Sequence, residues 1–92
     1  MRRGVRVTAL LACLQVPVTA MAAPDVVTSI LPLQSLTAMV MDGIGEPTTL
    51  LPAGASPHAY ALRPSEAARL ERADLVVWVG PDLERFLERP LA

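Results

Sequence analysis

The sequence predicts an α/β fold, a parallel sheet with helices on both faces. Three features carry that expectation. Runs rich in β-branched residues alternate with stretches of helical period, the arrangement that builds parallel sheets. Glycine or proline marks the connections. The run Leu75-Val76-Val77-Trp78-Val79 is apolar without alternation, as in a strand covered on both faces.

Residues 25–30 are the first of these runs and predict a strand. Pro32 suits the first turn of the helix that follows. Leu33, Leu36 and Val40, with Met39 between them, lay an apolar stripe along it, and Asp42-Gly43 should end it, Gly43 serving as the C-terminal glycine. Residues 48–51 predict a short second strand, closed by Pro52 and Gly54. A constrained loop, residues 54–65, comes next. Pro64 or Ser65 should open a second helix reaching about Arg72, with Ser65 as its N-cap, Ala67 and Leu70 facing inward and Glu66, Arg69 and Arg72 facing water. The buried strand follows at 75–79. After the turn at Gly80-Pro81, Asp82 is placed to cap a last helix from Leu83 to about Arg89, with Leu83, Phe86 and Leu87 on one face.

The first 22 residues read as a signal peptide outside the fold. Arg2, Arg3 and Arg6 form a basic start, residues 7–18 are largely apolar, and Ala20-Met21-Ala22 is a small-x-small cleavage site, so the mature chain should begin at Ala23 and be exported. The apolar run is too short to span a bilayer. Leu10-Leu11-Ala12-Cys13 loosely resembles a lipoprotein box, but using it would leave a very short apolar region. On the signal-peptide reading the lone cysteine is removed, which leaves neither a disulfide nor a thiolate ligand. Residues 23–92 are then a partial N-terminal α/β lobe. Three strands make an unfinished sheet, and the chain stops straight after a helix, so the expectation is the N-terminal part of a larger protein.

All eight basic residues are arginine, and the formal net charge is −1. From residue 23 onward five arginines face nine acids, a net of −4. A mildly acidic body without a basic stripe argues against a nucleic-acid partner.

The chemistry concentrates in residues 54–65, which hold the only histidine, His58, and the only tyrosine, Tyr60. Two prolines and a glycine fix that backbone. In open α/β sheets, ligands bind beyond the carboxyl ends of the strands, and His58 follows the second strand. Imidazole is a common zinc ligand, yet one imidazole is far from the set that zinc needs, so two readings stand at this point: a metal ligand, or a histidine that hydrogen-bonds its own loop. Tyr60 either packs beside the imidazole or caps the loop. Ser56 and Ser65 near His58 suggest a nucleophile and a base, but no Gly-x-Ser-x-Gly elbow accompanies them. Gly43-x-Gly45 follows a helix and lacks a third glycine, so it reads as a turn. Glu66, Glu71, Asp74, Asp82, Glu84 and Glu88 read as a solvated helix surface paired with neighbouring arginines, and Trp78 as core.

Three stretches carry a resemblance: Val-Thr-Ser-Ile-x-Pro-Leu at 27–33, Gly-Ala-Ser-Pro-His-x-Tyr-x-Leu-Arg-Pro-Ser at 54–65, and Ala-Asp-Leu-Val-Val-Trp-Val-Gly-Pro-x-Leu-Glu-x-Phe-Leu at 73–87. They resemble the periplasmic zinc-binding proteins of bacterial zinc ABC transporters, the ZnuA-like branch of the metal-receptor solute-binding proteins. The resemblance implies two α/β lobes joined by a long helix, with the metal bound between them, and it makes His58 the first metal ligand. It implies capture of zinc as transported cargo, delivery to a membrane permease, a monomeric receptor and no catalysis. The further ligands of such proteins come from later sequence. The Ala-Leu-Arg-Pro-Ser continuation is closer to the zinc branch than to the manganese and iron branch. A manganese- or iron-selective receptor or an adhesin of the same fold is the nearest alternative, and a small exported hydrolase using His58 as base a more distant one.

Overall fold

The computed structural model describes residues 21–92. The signal-peptide reading falls almost wholly on residues 1–20, outside the described part. Six elements follow in order: β1 (Val26–Thr28), α1 (Leu31–Val40), β2 (Thr48–Thr49), α2 (Pro64–Arg72), β3 (Leu75–Val77) and α3 (Arg85–Glu88). The strands form one parallel sheet in the order β2-β1-β3. Val27 lies opposite Thr48 on one side and opposite Val76 on the other. The first strand is therefore central, and all three of its residues are buried.

Alternation along β1 splits the sheet into two faces. Val27 and Val76 point to one, where Leu50, Leu70 of α2 and Leu87 of α3 close the core, with Leu62, Trp78 and Phe86 packed against it. Trp78 is thus a core residue. Val26, Leu75 and Val77 point to the other face, where they share a groove with Leu33, Leu36 and Val40 of α1. Helices on both faces of a parallel sheet are the predicted architecture.

The elements start and stop where local chemistry directs. Pro32 stands in the first turn of α1, Met41 caps its C-terminus through an N–H bond to the Thr37 carbonyl, and Gly43 takes a positive φ of 77° in the turn beyond. Left-handed backbone is open to glycine at little steric cost, so the chain reverses there. The helix α2 begins at Pro64, one of the two predicted starts, and its N-cap is Arg63, not Ser65. The carboxyl of Glu66 then falls at the third helical position and accepts the Arg63 N–H at 2.9 Å, the acidic half of a capping box. Glu66 favours the positive end of the helix dipole, and Arg69 and Arg72 the negative end.

Three expectations are corrected. The last strand is shorter than predicted and is not covered on both faces, for Leu75 is 56% exposed and Val79 58%. The cause is the seat of α1, which lies against β1 and β2 and leaves the β3 side of that face open. The apolar stripe of α1 accordingly borders the groove with Leu36 and Val40 still exposed. The last helix starts at Arg85 rather than Leu83. Asp82 does not cap it, because residues 80–84 form a turn in which Leu83 and Glu84 donate to the Gly80 carbonyl.

Candidate metal centre

The carboxyl edge of the sheet gathers three turns. Ser29 leaves β1, the histidine loop leaves β2, and Val79-Gly80 leave β3. Leu50 and Leu51 extend the edge by donating to the carbonyls of Thr28 and Ser29 at 2.9 and 3.1 Å. Because β1 leads to α1 on one face and β3 leads to α3 on the other, the crevice between these strands is the switch point where open α/β sheets take ligands. Here Ser29 and Glu84 fill it. Both are fully buried, and the Ser29 hydroxyl donates to Oε1 of Glu84. The other carboxyl oxygen accepts the Val79 N–H at 2.7 Å and the Gly80 N–H at 3.1 Å. Every donor that faces Glu84 is thus matched, which is what makes a buried carboxyl tolerable. Glu84 is therefore not part of a solvated surface, contrary to the sequence reading.

The histidine loop is held at several points. Gly54 adopts φ 83°, and the Ala55 N–H bonds the Pro52 carbonyl at 3.1 Å. Residues 56–59 form a turn closed by the Ala59 N–H on the Ser56 carbonyl at 3.3 Å. Pro57 takes its first central position, where a fixed φ suits it, and His58 takes the second. His58 is exposed, with its ring free to meet a ligand from solvent. A cavity of about 240 Å³ lies beside the turn, lined by Ile30, Leu51, Pro52, Gly54 and Pro57 among others.

Tyr60 caps this loop. Its hydroxyl donates to Oε1 of Glu66 at 2.6 Å, and its ring meets Phe86 of α3 edge to face, with centroids 5.3 Å apart. The hydrogen bond to Glu66 raises the Tyr60 pKa, supported by burial and by the nearby carboxylate charge. For Glu66, burial pushes the pKa up, but the Tyr60 hydroxyl, the Arg63 N–H and the charges of Arg63 and Arg69 outweigh it, and the net shift is downward. Carboxylate and phenol each stay in the form that keeps the bond. Glu66 is half-buried and engaged rather than solvated. Sequence reasoning missed this pair because it placed the N-cap at Ser65. With Pro64, one of the two predicted openings, as the first helical residue, Glu66 falls at the capping position.

Among the described residues no group of three or more His, Cys, Asp or Glu side chains could hold a metal ion, and His58 has no such cluster around it. Residues 26–92, which contain the whole carboxyl edge, match the family described as zinc-uptake complex component A, periplasmic. The chain belongs to the ZnuA family. This is a family of solute-binding receptors. The high-affinity zinc uptake system protein ZnuA of Yersinia pestis is 55% identical over 71 residues, which are 77% of this chain and 22% of that protein. Its namesake in Haemophilus ducreyi is 50% identical over 74 residues, 80% of this chain and 24% of the relative. The chain thus spans about a fifth to a quarter of these curated ZnuA relatives. Solved structures agree in fold. Zn(II)-bound AdcA from Streptococcus pneumoniae superposes with a TM-score of 0.67 at 25% identity, over 74% of this chain and 15% of AdcA. The periplasmic zinc-binding protein TroA from Treponema pallidum gives 0.64 at 26% identity, over 74% of this chain and 24% of TroA. A Mn-bound periplasmic metal-binding protein from Candidatus Liberibacter asiaticus also gives 0.67 at 25% identity, over 75% of this chain and 26% of its own.

Proposed function

We propose that this chain is the opening part of the N-terminal lobe of a periplasmic zinc receptor, that residues 1–22 export it, and that His58 is a metal ligand. The zinc ion is cargo. The neutral imidazole donates one nitrogen, further ligands close the shell, and the loaded receptor passes zinc to the membrane permease of an ABC transporter. The observation that carries this reading is the position of the only imidazole: exposed, in a turn at the carboxyl edge of a parallel sheet, inside the segment that matches the ZnuA family. Capture needs no bond to be made or broken in a substrate, so the receptor works without catalysis, and we take it to act as a monomer. The related proteins named for zinc support zinc as the metal. The Mn-bound neighbour keeps manganese as a second reading.

Because the chain has one histidine, the test is unambiguous. Zinc added to the chain is expected to shift the ¹⁵N and ¹H resonances of the His58 imidazole in a saturable way. Binding should be weak, since one imidazole supplies only part of a tetrahedral site. His58→Ala should abolish the zinc-induced shifts of the neighbouring Ala59 and Tyr60 amides. A zinc titration that moves carboxylate-bearing segments and leaves the imidazole unmoved would sink the assignment. Manganese broadens the same ring signals by its paramagnetism, and zinc added at comparable concentration should displace it and restore them if the zinc reading holds.

Export has its own check. N-terminal sequencing of the protein recovered from the periplasm of an expressing bacterium is expected to begin at Ala23, within the sequence Ala23-Pro24-Asp25. A periplasmic product beginning at Met1, or a lipid-modified Cys13, would overturn the signal-peptide assignment.

A further inference from the structure

We infer that Tyr60 and Glu66 are positioning residues for His58, forming a latch that fixes the histidine turn to α2 and α3; this rests on the reading of His58 as a metal ligand. Upstream of the imidazole, the backbone is shaped by Pro57 and the bond that closes residues 56–59. That turn fixes its own shape but does not tie the loop to the rest of the fold. The tie begins two residues after His58, ahead of Leu62, which packs on the core cluster further along the loop. The Tyr60 ring crosses to Phe86 of α3, and its hydroxyl crosses six positions to Glu66 in the first turn of α2. Phe86 in turn packs against the buried cluster that contains Val27 and Leu87. An exposed imidazole is thereby linked through Tyr60 to two helices, both of them seated on the core. A ligand that must meet other donors in a fixed shell gains from being ordered before the metal arrives, because less freedom is lost on binding.

The one carboxyl has two tasks, and substitutions separate them. Oε1 takes the Tyr60 hydroxyl, and Oε2 takes the Arg63 N–H that caps α2. Tyr60→Phe removes the hydroxyl but keeps the ring on Phe86 and leaves the cap intact. Glu66→Gln keeps an oxygen for Tyr60 and turns an NH₂ group toward Arg63, so the latch survives and the cap is lost.

The experiment is NMR relaxation on the 92-residue chain, where His58, Tyr60 and Phe86 are each the only residue of their type and need no assignment by mutation. In the unmodified chain, a nuclear Overhauser contact joins Tyr60 to Phe86, and the backbone order parameter at His58 is near the rigid value of about 0.85. In Tyr60→Phe it is expected to fall below about 0.6 while the amides of β1 and β3 keep their exchange protection. In Glu66→Gln, His58 stays ordered and the Arg63 amide loses protection. The latch is overturned by any of four results. These are no Tyr60–Phe86 contact in the unmodified chain, an ordered His58 in Tyr60→Phe, loss of sheet protection in that variant, or equal mobility of His58 in both variants. The zinc titration on the same samples keeps the two ideas apart. An imidazole that ignores zinc but loosens in Tyr60→Phe removes the ligand role alone, and an imidazole that binds zinc but stays ordered removes the latch alone.

Discussion

Replacing Leu87 with alanine is expected to destabilise the chain by about 3–4 kcal/mol. Leu87 is fully buried and is the contribution of α3 to the cluster of Val27, Leu50 and Leu70. Truncation loses the transfer free energy of the removed carbons and leaves a cavity that the short surrounding elements cannot refill. The total stability of a domain of this size is on the order of 5 kcal/mol, so the variant should be largely unfolded near physiological temperature. The measurement is urea unfolding followed by Trp78 fluorescence, with the midpoint compared at constant m-value. Leu36→Ala is the control. Leu36 is 61% exposed on the open side of α1, and its truncation should stay within about 0.5 kcal/mol. Equal losses at the two positions would mean that the described core is not what holds the chain.

The same contrast explains what was legible in the sequence. Strand and helix positions were readable because their signals are local: the β-branched run before Ser29, Pro32 and Pro64 in first turns, and Gly43 with its positive φ. The placement of His58 beyond the carboxyl end of a strand followed from the order of elements alone. Burial was read less well, because it depends on what lies opposite. Leu75 has the sequence of a doubly covered strand, yet α1 leaves its side of the sheet open. Glu84 has the sequence of a helix surface, yet Ser29, 55 positions away, meets it in the crevice. No periodicity can announce a contact between two turns so distant in the chain. Tyr60 and Glu66 stand between these cases. Their six-residue spacing was visible, and only the misplaced N-cap hid it.

Glu84→Ala is expected to cost about 3 kcal/mol, although it removes no apolar contact that the core depends on. The carboxyl accepts from three donors, the Ser29 hydroxyl and the N–H groups of Val79 and Gly80. Alanine offers none of these an acceptor. The Ser29 side chain is fully buried and cannot turn to water without opening the edge. A buried donor left unmatched costs about 1–3 kcal/mol, while the two N–H groups lie nearer the surface and can recover part of their loss by hydration. Glu84→Gln should fall between alanine and the parent, since its oxygen accepts the Val79 and Gly80 N–H groups and its NH₂ donates to the Ser29 oxygen, while the Ser29 hydroxyl hydrogen loses its acceptor. Adding Ser29→Ala to Glu84→Ala removes the orphaned hydroxyl, so the double variant should be no less stable than Glu84→Ala alone, the non-additivity expected of direct partners. Urea midpoints for the parent, Ser29→Ala, Glu84→Ala, Glu84→Gln and the double variant decide the matter, and strictly additive losses at Ser29 and Glu84 would break the argument. The position of this carboxyl gives the result a functional side. It ties the end of β1 to the turn that leads into α3, and α3 carries Phe86, on which Tyr60 rests. A chain that loses Glu84 should therefore loosen the His58 turn as well, and the His58 order parameter should fall with the stability of the edge.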